Sequence, residues 1–504
     1  MSKSFYFREK EYKPSRYQWD IFDKIKDGDG NIIVSAVAGS GKTTTLVWGA
    51  TLIDTDGIFV AFNKHIADEL DTRLKGTRMF AKTVHALGKS SLSSVFGSNH
   101  PQVDTKKYFQ LCREWIERNT KWSPRDVQEA VPALKSLVDM CRLQLVDPSS
   151  HGDVWAVANR HGYDVNNELV AGVLPVIEAG TSKDYYFLPN GSRKPAAAID
   201  FVDMLWLPVM WDLPMQKYGW MFCDEAQDFS RLMQAVVKKA VGGRVLLVGD
   251  RNQSIMGFAG ADTKSFDTLK TEFNAVEFPL SICYRCPKSH VELAKQLVPE
   301  IEPREDAPEG LITKCSKAEM YKNLKAGDMG ICRLTAPLIS ACINSIKMGI
   351  PACVRGRDIG GQIVGTAKKI YKLCKTFSEF SDNMAVYYLN ESNRLAGKQD
   401  AESRLQSLKD QIDAMDAIIE ANPNITSVEA LCKYIESLFS DDIKPIVFST
   451  VHRAKGLEAD RVFIISPKLM PLKYVDPESP QFQQELNIKY VAHTRAKKEL
   501  FFVE

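Results

Sequence analysis

Residues 31–45 read NIIVSAVAGSGKTTT. The first six, NIIVSA, form a short apolar run rich in β-branched side chains, the pattern of a buried parallel strand. AVAGSGKTTT (36–45) follows, and then the helix-compatible LVWGA. Strand, glycine-rich turn and helix together make the frame of a phosphate-binding loop. Gly39 and Gly41 permit a tight turn, with the amides of Ala38, Ser40 and their neighbours turned toward phosphate oxygens. Lys42 can reach the β- and γ-phosphates, the Thr43 hydroxyl can ligate Mg²⁺, and Thr44 follows on the first helical turn. Ala36 stands where the general pattern has its first glycine. A chance glycine-rich turn is the competing reading, and the flanking strand argues against it.

Such a loop predicts a second strand ending in a carboxylate. Residues 218–223, YGWMFC, read as that strand, and Asp224-Glu225-Ala226-Gln227-Asp228 comes directly after it. Asp224 would hold Mg²⁺, directly or through water, while Glu225 would polarise the attacking water as a general base. DEAQD alone would read as a solvated acidic helix start. Its place after a buried strand, downstream of a phosphate loop, decides for chemistry. A third strand, RVLLVGD (244–250), leads into RNQSIMGFAGAD. Gln253 falls just past its end, at the nucleotide edge of such a sheet, where a neutral amide can sense the γ-phosphate.

At 504 residues the chain is too long for one core, and its length suggests roughly three or four domains. Hydrophobic residues make up 44% and charged residues 25%, the balance of an ordinary globular protein. A net charge of +2 gives no basic-tail signature, so any nucleic-acid binding would have to come from local surfaces rather than global attraction. The N-terminus, MSKSFYFREKEYK, has no apolar core of a secretion signal, and no apolar run is long enough to span a bilayer. The eleven cysteines are scattered, and the only close pair, Cys283 and Cys286, lacks the second pair a zinc site needs. Reduced packing thiols in a cytoplasmic or nucleoid-associated protein, one that is not secreted, are the expectation.

The three segments, in this order, resemble the UvrD/PcrA/Rep branch of superfamily 1 DNA helicases, whose loop commonly reads AxAGSGKT. DEAQD and GDRNQSIMGFAGA carry most of that resemblance. Further segments match it one by one. Gln18, in SRYQWDIF, matches the glutamine that contacts adenine. VAFNKHIA (60–67) looks like the motif that places an aromatic, here Phe62, with Asn63 beside it, against a DNA base. TVHA (83–86) looks like the next DNA-contacting motif, with Thr83 and His85. In LSICYRC (280–286) the resemblance implies that Tyr284 stacks on adenine and Arg285 reaches the γ-phosphate. STVHRAKGLE (449–458) resembles the motif joining DNA contact, through Thr450 and His452, to nucleotide contact, with Glu458 near the ribose. ELNIKYVAHTRAK (485–497) resembles the final motif, with Arg495 as the second arginine finger. Each piece alone could be core or a charged helix; their order makes the case. Three positions depart from the pattern: Thr44 replaces an arginine set against adenine, Phe258 replaces a stacking tryptophan, and Cys283 replaces an asparagine.

The resemblance implies an α/β fold with two RecA-like parallel-sheet motor domains, each interrupted by a mainly helical insertion. Motif spacing puts the first motor domain at 1–90 and 196–278, and the second at 279–365 and 441–504. The insertions are 91–195 and 366–440. KYFQLCREWIERN and VQEAVPALKSLVDMCRLQLV in the first look helical, HGYDVNNELVAGV is polar and uninformative, and DYYFLPNGSRKP looks like a turn-rich return. In the second, Leu405, Leu408, Ile412, Met415 and Ile419 mark one helix face, which Asn422-Pro423 stops. With fewer than four heptads, packing on neighbouring helices is favoured over a partner-binding coiled coil. This insertion is much shorter than in UvrD-like members, where the domain regulates unwinding.

The implied activity is ATP-dependent translocation on single-stranded DNA, and DNA helicase activity with 3′-to-5′ polarity, in replication, repair or recombination. ATP and Mg²⁺ would be the cofactors, and single-stranded or tailed DNA the partner. Arg285 and Arg495 would stabilise the γ-phosphoryl group when the cleft shuts, while Phe62 and Phe258 grip bases by stacking. Two rivals stand beside this: a translocase that strips proteins from DNA without unwinding, and a nucleotide-switched subunit of a larger complex.

Overall fold

A computed structural model describes residues 5–7, 10–61, 64–96, 101–182, 185–187, 193–195, 198–257, 260, 264–396, 401–439 and 445–504. The chain divides into two compact units, Met1–Ala36 with Gly41–Ser281, and Val37–Ser40 with Ile282–Glu504. Each has its own six-stranded sheet.

In the first unit the strands lie in the spatial order Val276–Leu280, Ile32–Ala36, Val241–Gly249, Tyr218–Cys223, Gly57–Ala61, Met79–Thr83, all parallel. Parallel strands are covered on both faces, which is why the central ones read as near-continuous apolar runs. Successive residues feed opposite sides. Ile33, Ile58, Val60, Met221, Val245 and Leu247 join one core. Ile32, Val34, Phe59, Phe222, Leu246 and Val248 join the other. The strand Val276–Leu280 carries this unit past residue 278.

The interval after the helix Val84–Ser91 is built mainly of helices at Lys107–Asn119, Pro124–Leu143, His151–His161 and Asn167–Thr181. Side-chain caps set three of their starts, at Ser123, Ser150 and Asn166. The stretch that looked uninformative opens the last helix, which buries Leu169, Val170, Val173, Val176 and Ile177. Gly172 and Pro175 obscure that periodicity, and the Asn166 cap is the signal that reveals it. The turn-rich return contains an antiparallel pair, Tyr185–Phe187 with Arg193–Pro195.

A buried ionic cluster joins these helices to residues 200–203. Arg142 donates to Asp200 Oδ2 at 2.7 Å and to Asp203 Oδ1 at 3.0 Å. Lys107 donates to Asp203 Oδ2 at 2.7 Å, and the Tyr108 hydroxyl to its other oxygen at 3.1 Å. The Arg142 guanidinium lies 3.5 Å from the Tyr108 ring centroid. Burial raises both carboxyls; Arg142 takes Asp200 below its usual range, whereas Asp203, beside that negative charge, stays above it.

The second sheet runs Leu311–Cys315, Ala496–Val503, Ala459–Ile465, Met329–Cys332, Ile446–Thr450, Ala352–Val354, again all parallel. The heptad-like stretch forms the helix Ala401–Ala421 and ends before Asn422-Pro423. It packs on its own neighbours: Ile412, Met415 and Ile418 share one core with Leu338 and Ile343 of the helix Ala336–Lys347 and with Phe448 and Phe463 of the sheet. Asp410 accepts from the Thr335 and Ala336 amides, each at 2.7 Å, and so caps the helix Ala336–Lys347 from outside its own sequence. All eleven cysteines are free.

Three histidines of this unit, His290, His452 and His493, are held below the usual imidazole range, so the unit is expected to be acid-sensitive. Burial, with the charges of Lys489 and His290, pushes the His493 imidazole down to about 3, and burial also lowers His290. Below the free-histidine value near 6.5 the unfolded chain takes up a proton that the fold excludes. Stability therefore falls as pH drops from about 6.5 toward 3, by up to about 1.4 kcal/mol per pH unit per proton. Melting midpoints between pH 7.5 and 5 should drop in the native chain and drop less in His493→Leu; parallel curves would contradict this.

Candidate functional site

The strand Ile32–Ala36 feeds a turn in which Gly39 and Gly41 have φ of 69° and 78°, a region only glycine enters freely. The helix Lys42–Ala50 follows with Gly41 at its N-cap and no side-chain cap, so its first amides remain open to an anion. Ala38 is fully buried, and the Ser40 hydroxyl is buried with no hydrogen-bond partner among the described residues. Thr44 is half-buried on the first helical turn.

Lys42 Nζ lies 3.6 Å from Glu225 Oε1, and Thr43 Oγ1 donates to Asp224 Oδ2 at 3.1 Å. The loop thus faces the end of the strand Tyr218–Cys223, as expected. The two acidic side chains have different partners, and Glu225 adopts a left-handed backbone, φ 53° and ψ 39°. For a residue other than glycine that costs on the order of 1–3 kcal/mol, a strain typical of functional sites. Burial and the charge of Glu225 push the Asp224 carboxyl up to about 6, against the opposing effect of Lys42.

These residues fit a magnesium–nucleotide complex. A carboxylate raised by burial favours a nearby cation, and one hydroxyl with one carboxylate matches Mg²⁺, which completes its shell with phosphate oxygens and water. Among the described residues no group of three or more His, Cys, Asp or Glu could hold a metal ion. Gln253 is buried, and its amide donates to Asp250 Oδ2 at 2.6 Å. Gln18 accepts from the Ser15 amide at 3.0 Å and donates to Thr45 Oγ1 at 2.9 Å, which braces the loop helix from behind.

In the second unit Arg285 Nε donates to Glu458 Oε2 at 2.5 Å, and Lys497 pairs with the other oxygen at 2.6 Å. Burial would raise Glu458; the two cations more than offset this and hold it below the usual range. Arg285 also donates to the Thr494 carbonyl at 3.3 Å, next to Arg495. Arg495 is buried, with hydrogen bonds to the carbonyls of Val491 and Leu457. Tyr284 is exposed. Cys283 and Cys286 are buried, and the Cys286 amide donates to Cys283 Sγ at 3.4 Å.

Of the expected DNA contacts, Phe62, Asn63 and Phe258 lie outside the described residues. Thr83 caps the helix Val84–Ser91 through the Ala86 amide. His85 is half-buried, and burial lowers its pKa against the pull of Asp200. Thr450 is buried at the end of its strand. Burial and then Arg333 bring His452 down to about 3. Both shifts favour the neutral imidazole.

Two participants were not given roles from sequence. Gln227 lies within DEAQD and donates to Glu225 Oε2 at 2.5 Å. Asp250 directly follows the strand Val241–Gly249 and accepts from the Gln253 amide. Their position inside the motifs was the available signal.

Two α/β units, each with a parallel sheet and one presenting a Gly-Lys-Thr turn to a buried acidic strand end, define a phosphate-loop class of protein. The sequence profile of the UvrD-like helicase C-terminal domain matches residues 79–504, most of the chain, and the chain belongs to the UvrD-like helicase family. It is 25% identical over 504 aligned positions to F-box DNA helicase protein 1 of Schizosaccharomyces pombe, covering 93% of this chain and 55% of that protein. It is likewise 25% identical to F-box DNA helicase 1 of Gallus gallus, covering 93% and 47%. DNA helicase II of Escherichia coli is 24% identical over 292 positions, covering 53% and 38%. The chain spans about half the length, or less, of these relatives. No described helix is long and apolar enough to cross a membrane.

Proposed function

We propose that the chain is an ATP-driven motor that translocates along single-stranded DNA, 3′ to 5′, and acts as a DNA helicase in replication, repair or recombination. The observation that carries this reading is the pairing of Lys42 with Glu225 and of Thr43 with Asp224, in a member of the UvrD-like helicase family. Lys42 and the loop amides bind the phosphates. Thr43 and Asp224 would hold Mg²⁺, which would supply positive charge to the phosphates. Glu225 takes the proton of the attacking water, and Gln253 senses the γ-phosphate. Arg285 and Arg495 stabilise its developing charge, Tyr284 and Gln18 serve the adenine, and Glu458 the ribose. Phe62, Asn63, Thr83, His85, Phe258, Thr450 and His452 contact the strand. The protein would work in the cytoplasm or at the nucleoid.

A second reading, translocation that displaces proteins without separating strands, is favoured by the second insertion. Its helix Ala401–Ala421 is built into the core of its own unit. Unwinding of 3′-tailed and 5′-tailed duplexes, beside displacement of a bound protein, separates the two. Unwinding of the 3′-tailed duplex supports the helicase; displacement alone supports the second reading; neither, with ATP hydrolysed, would overturn both. Phe258→Ala should weaken stimulation by DNA more than basal hydrolysis, since stacking contributes about 1–3 kcal/mol per base. Equal loss of both would show that Phe258 is merely core.

A further inference from the structure

We infer that Gln227 is a positioning residue that holds the general base after Lys42 turns to the nucleotide. This rests on the assignment of Glu225 as that base. The two oxygens of Glu225 have different partners: Lys42 Nζ lies 3.6 Å from Oε1, and Gln227 Nε2 donates to Oε2 at 2.5 Å. A phosphate draws Lys42 away, because one ammonium cannot serve both anions equally. The Gln227 bond is independent of that exchange.

The orientation of the Gln227 amide is fixed from its far side. The Asp250 backbone amide donates to Gln227 Oε1 at 3.0 Å. A backbone N–H can only donate, so the amide oxygen must face it and the NH₂ must face Glu225. The neighbouring residue leaves no slack: a Cβ on Gly249 would sit 2.6 Å from Gln227 Oε1. Gln227 itself is 2% exposed. Asp250 accepts the Gln253 amide at 2.6 Å. One short chain of bonds therefore links the base, the end of the third strand and the proposed γ-phosphate sensor: Gln253 bonds the Asp250 carboxylate, and the Asp250 backbone amide bonds the Gln227 side chain that holds Glu225.

The test is a double-mutant cycle on the full chain, by single-turnover ATP hydrolysis with DNA present and binding of a fluorescent ATP analogue. Gln227→Met removes both amide bonds. Gln227→Glu keeps an acceptor for the Asp250 amide and puts an oxygen against Glu225. Both should lower the single-turnover rate constant by about 10–100-fold, the usual effect of losing an orienting partner, while nucleotide affinity stays within about threefold and reports an intact fold. In a Glu225→Gln background either change should add less than about threefold, because it acts through Glu225. Full activity of Gln227→Glu, or losses that multiply in the double variants, would overturn the inference. Near-native turnover of Glu225→Gln alone would instead overturn the active-site assignment on which it rests.

Discussion

Lys42→Ala is expected to cut DNA-stimulated ATP hydrolysis by on the order of 10²–10³-fold, and Glu225→Gln by about 10²–10⁴-fold. The two should fail differently. Lys42 supplies positive charge to phosphates in both ground and transition states, so its loss should weaken nucleotide binding as well as turnover. Glu225 is needed when the attacking water gives up its proton, so Glu225→Gln should still bind nucleotide and stall at the chemical step. The 3.6 Å pairing of these side chains adds a second effect to the lysine change, since Glu225 then loses a cation that offsets its charge. Single-turnover hydrolysis with a nucleotide-binding assay distinguishes the two outcomes. Near-normal turnover in either variant would remove the assignment of the site.

The second large effect concerns stability. Arg142→Ala should destabilise the first unit by about 3–5 kcal/mol, the usual consequence of removing one partner from a buried ion pair. Asp200 and Asp203 would be left facing each other with one buried cation, Lys107, in place of two. The Tyr108 ring would also lose the guanidinium against it. Urea unfolding followed by tryptophan fluorescence reads this directly, because Trp115 and Trp206 pack in the same core. Arg142→Ala combined with Asp200→Asn should recover part of the loss. A change under about 1 kcal/mol in the single variant would mean that water enters the cluster and replaces the arginine.

The parts of the fold that were legible in the sequence share one property: local pattern and chemistry agreed there. NIIVSA, YGWMFC and RVLLVG are short apolar runs ending in residues with an evident use, and each lies in a parallel strand. The helix Ala401–Ala421 was readable from its apolar face; that face left a coiled coil open, the short heptad run favoured packing on neighbours, and the helix packs in the core of its own unit. What stayed hidden depends on partners distant in sequence. Asp410 caps a helix that starts more than seventy residues earlier. Arg142 meets Asp200 and Asp203 across 58 and 61 residues. No window along the chain contains both ends of such a contact. Gln227 was hidden for another reason: its motif was visible, but which way an amide points is decided by the Asp250 N–H, a fact of three-dimensional structure.

The shared core of the second unit bears on how such a chain can change over time. An accessory domain hung from a sheet by two linkers can be enlarged, trimmed or exchanged with little damage to its host. The helix Ala401–Ala421 is no such appendage, since Ile412, Met415 and Ile418 complete the packing around Leu338 and Ile343, and Asp410 satisfies amides that would otherwise be stranded. Excising it would unroof the sheet. The outward surface of this insertion, where Leu373, Val386 and Leu389 are exposed, carries no such packing duty and is where substitutions should cost least.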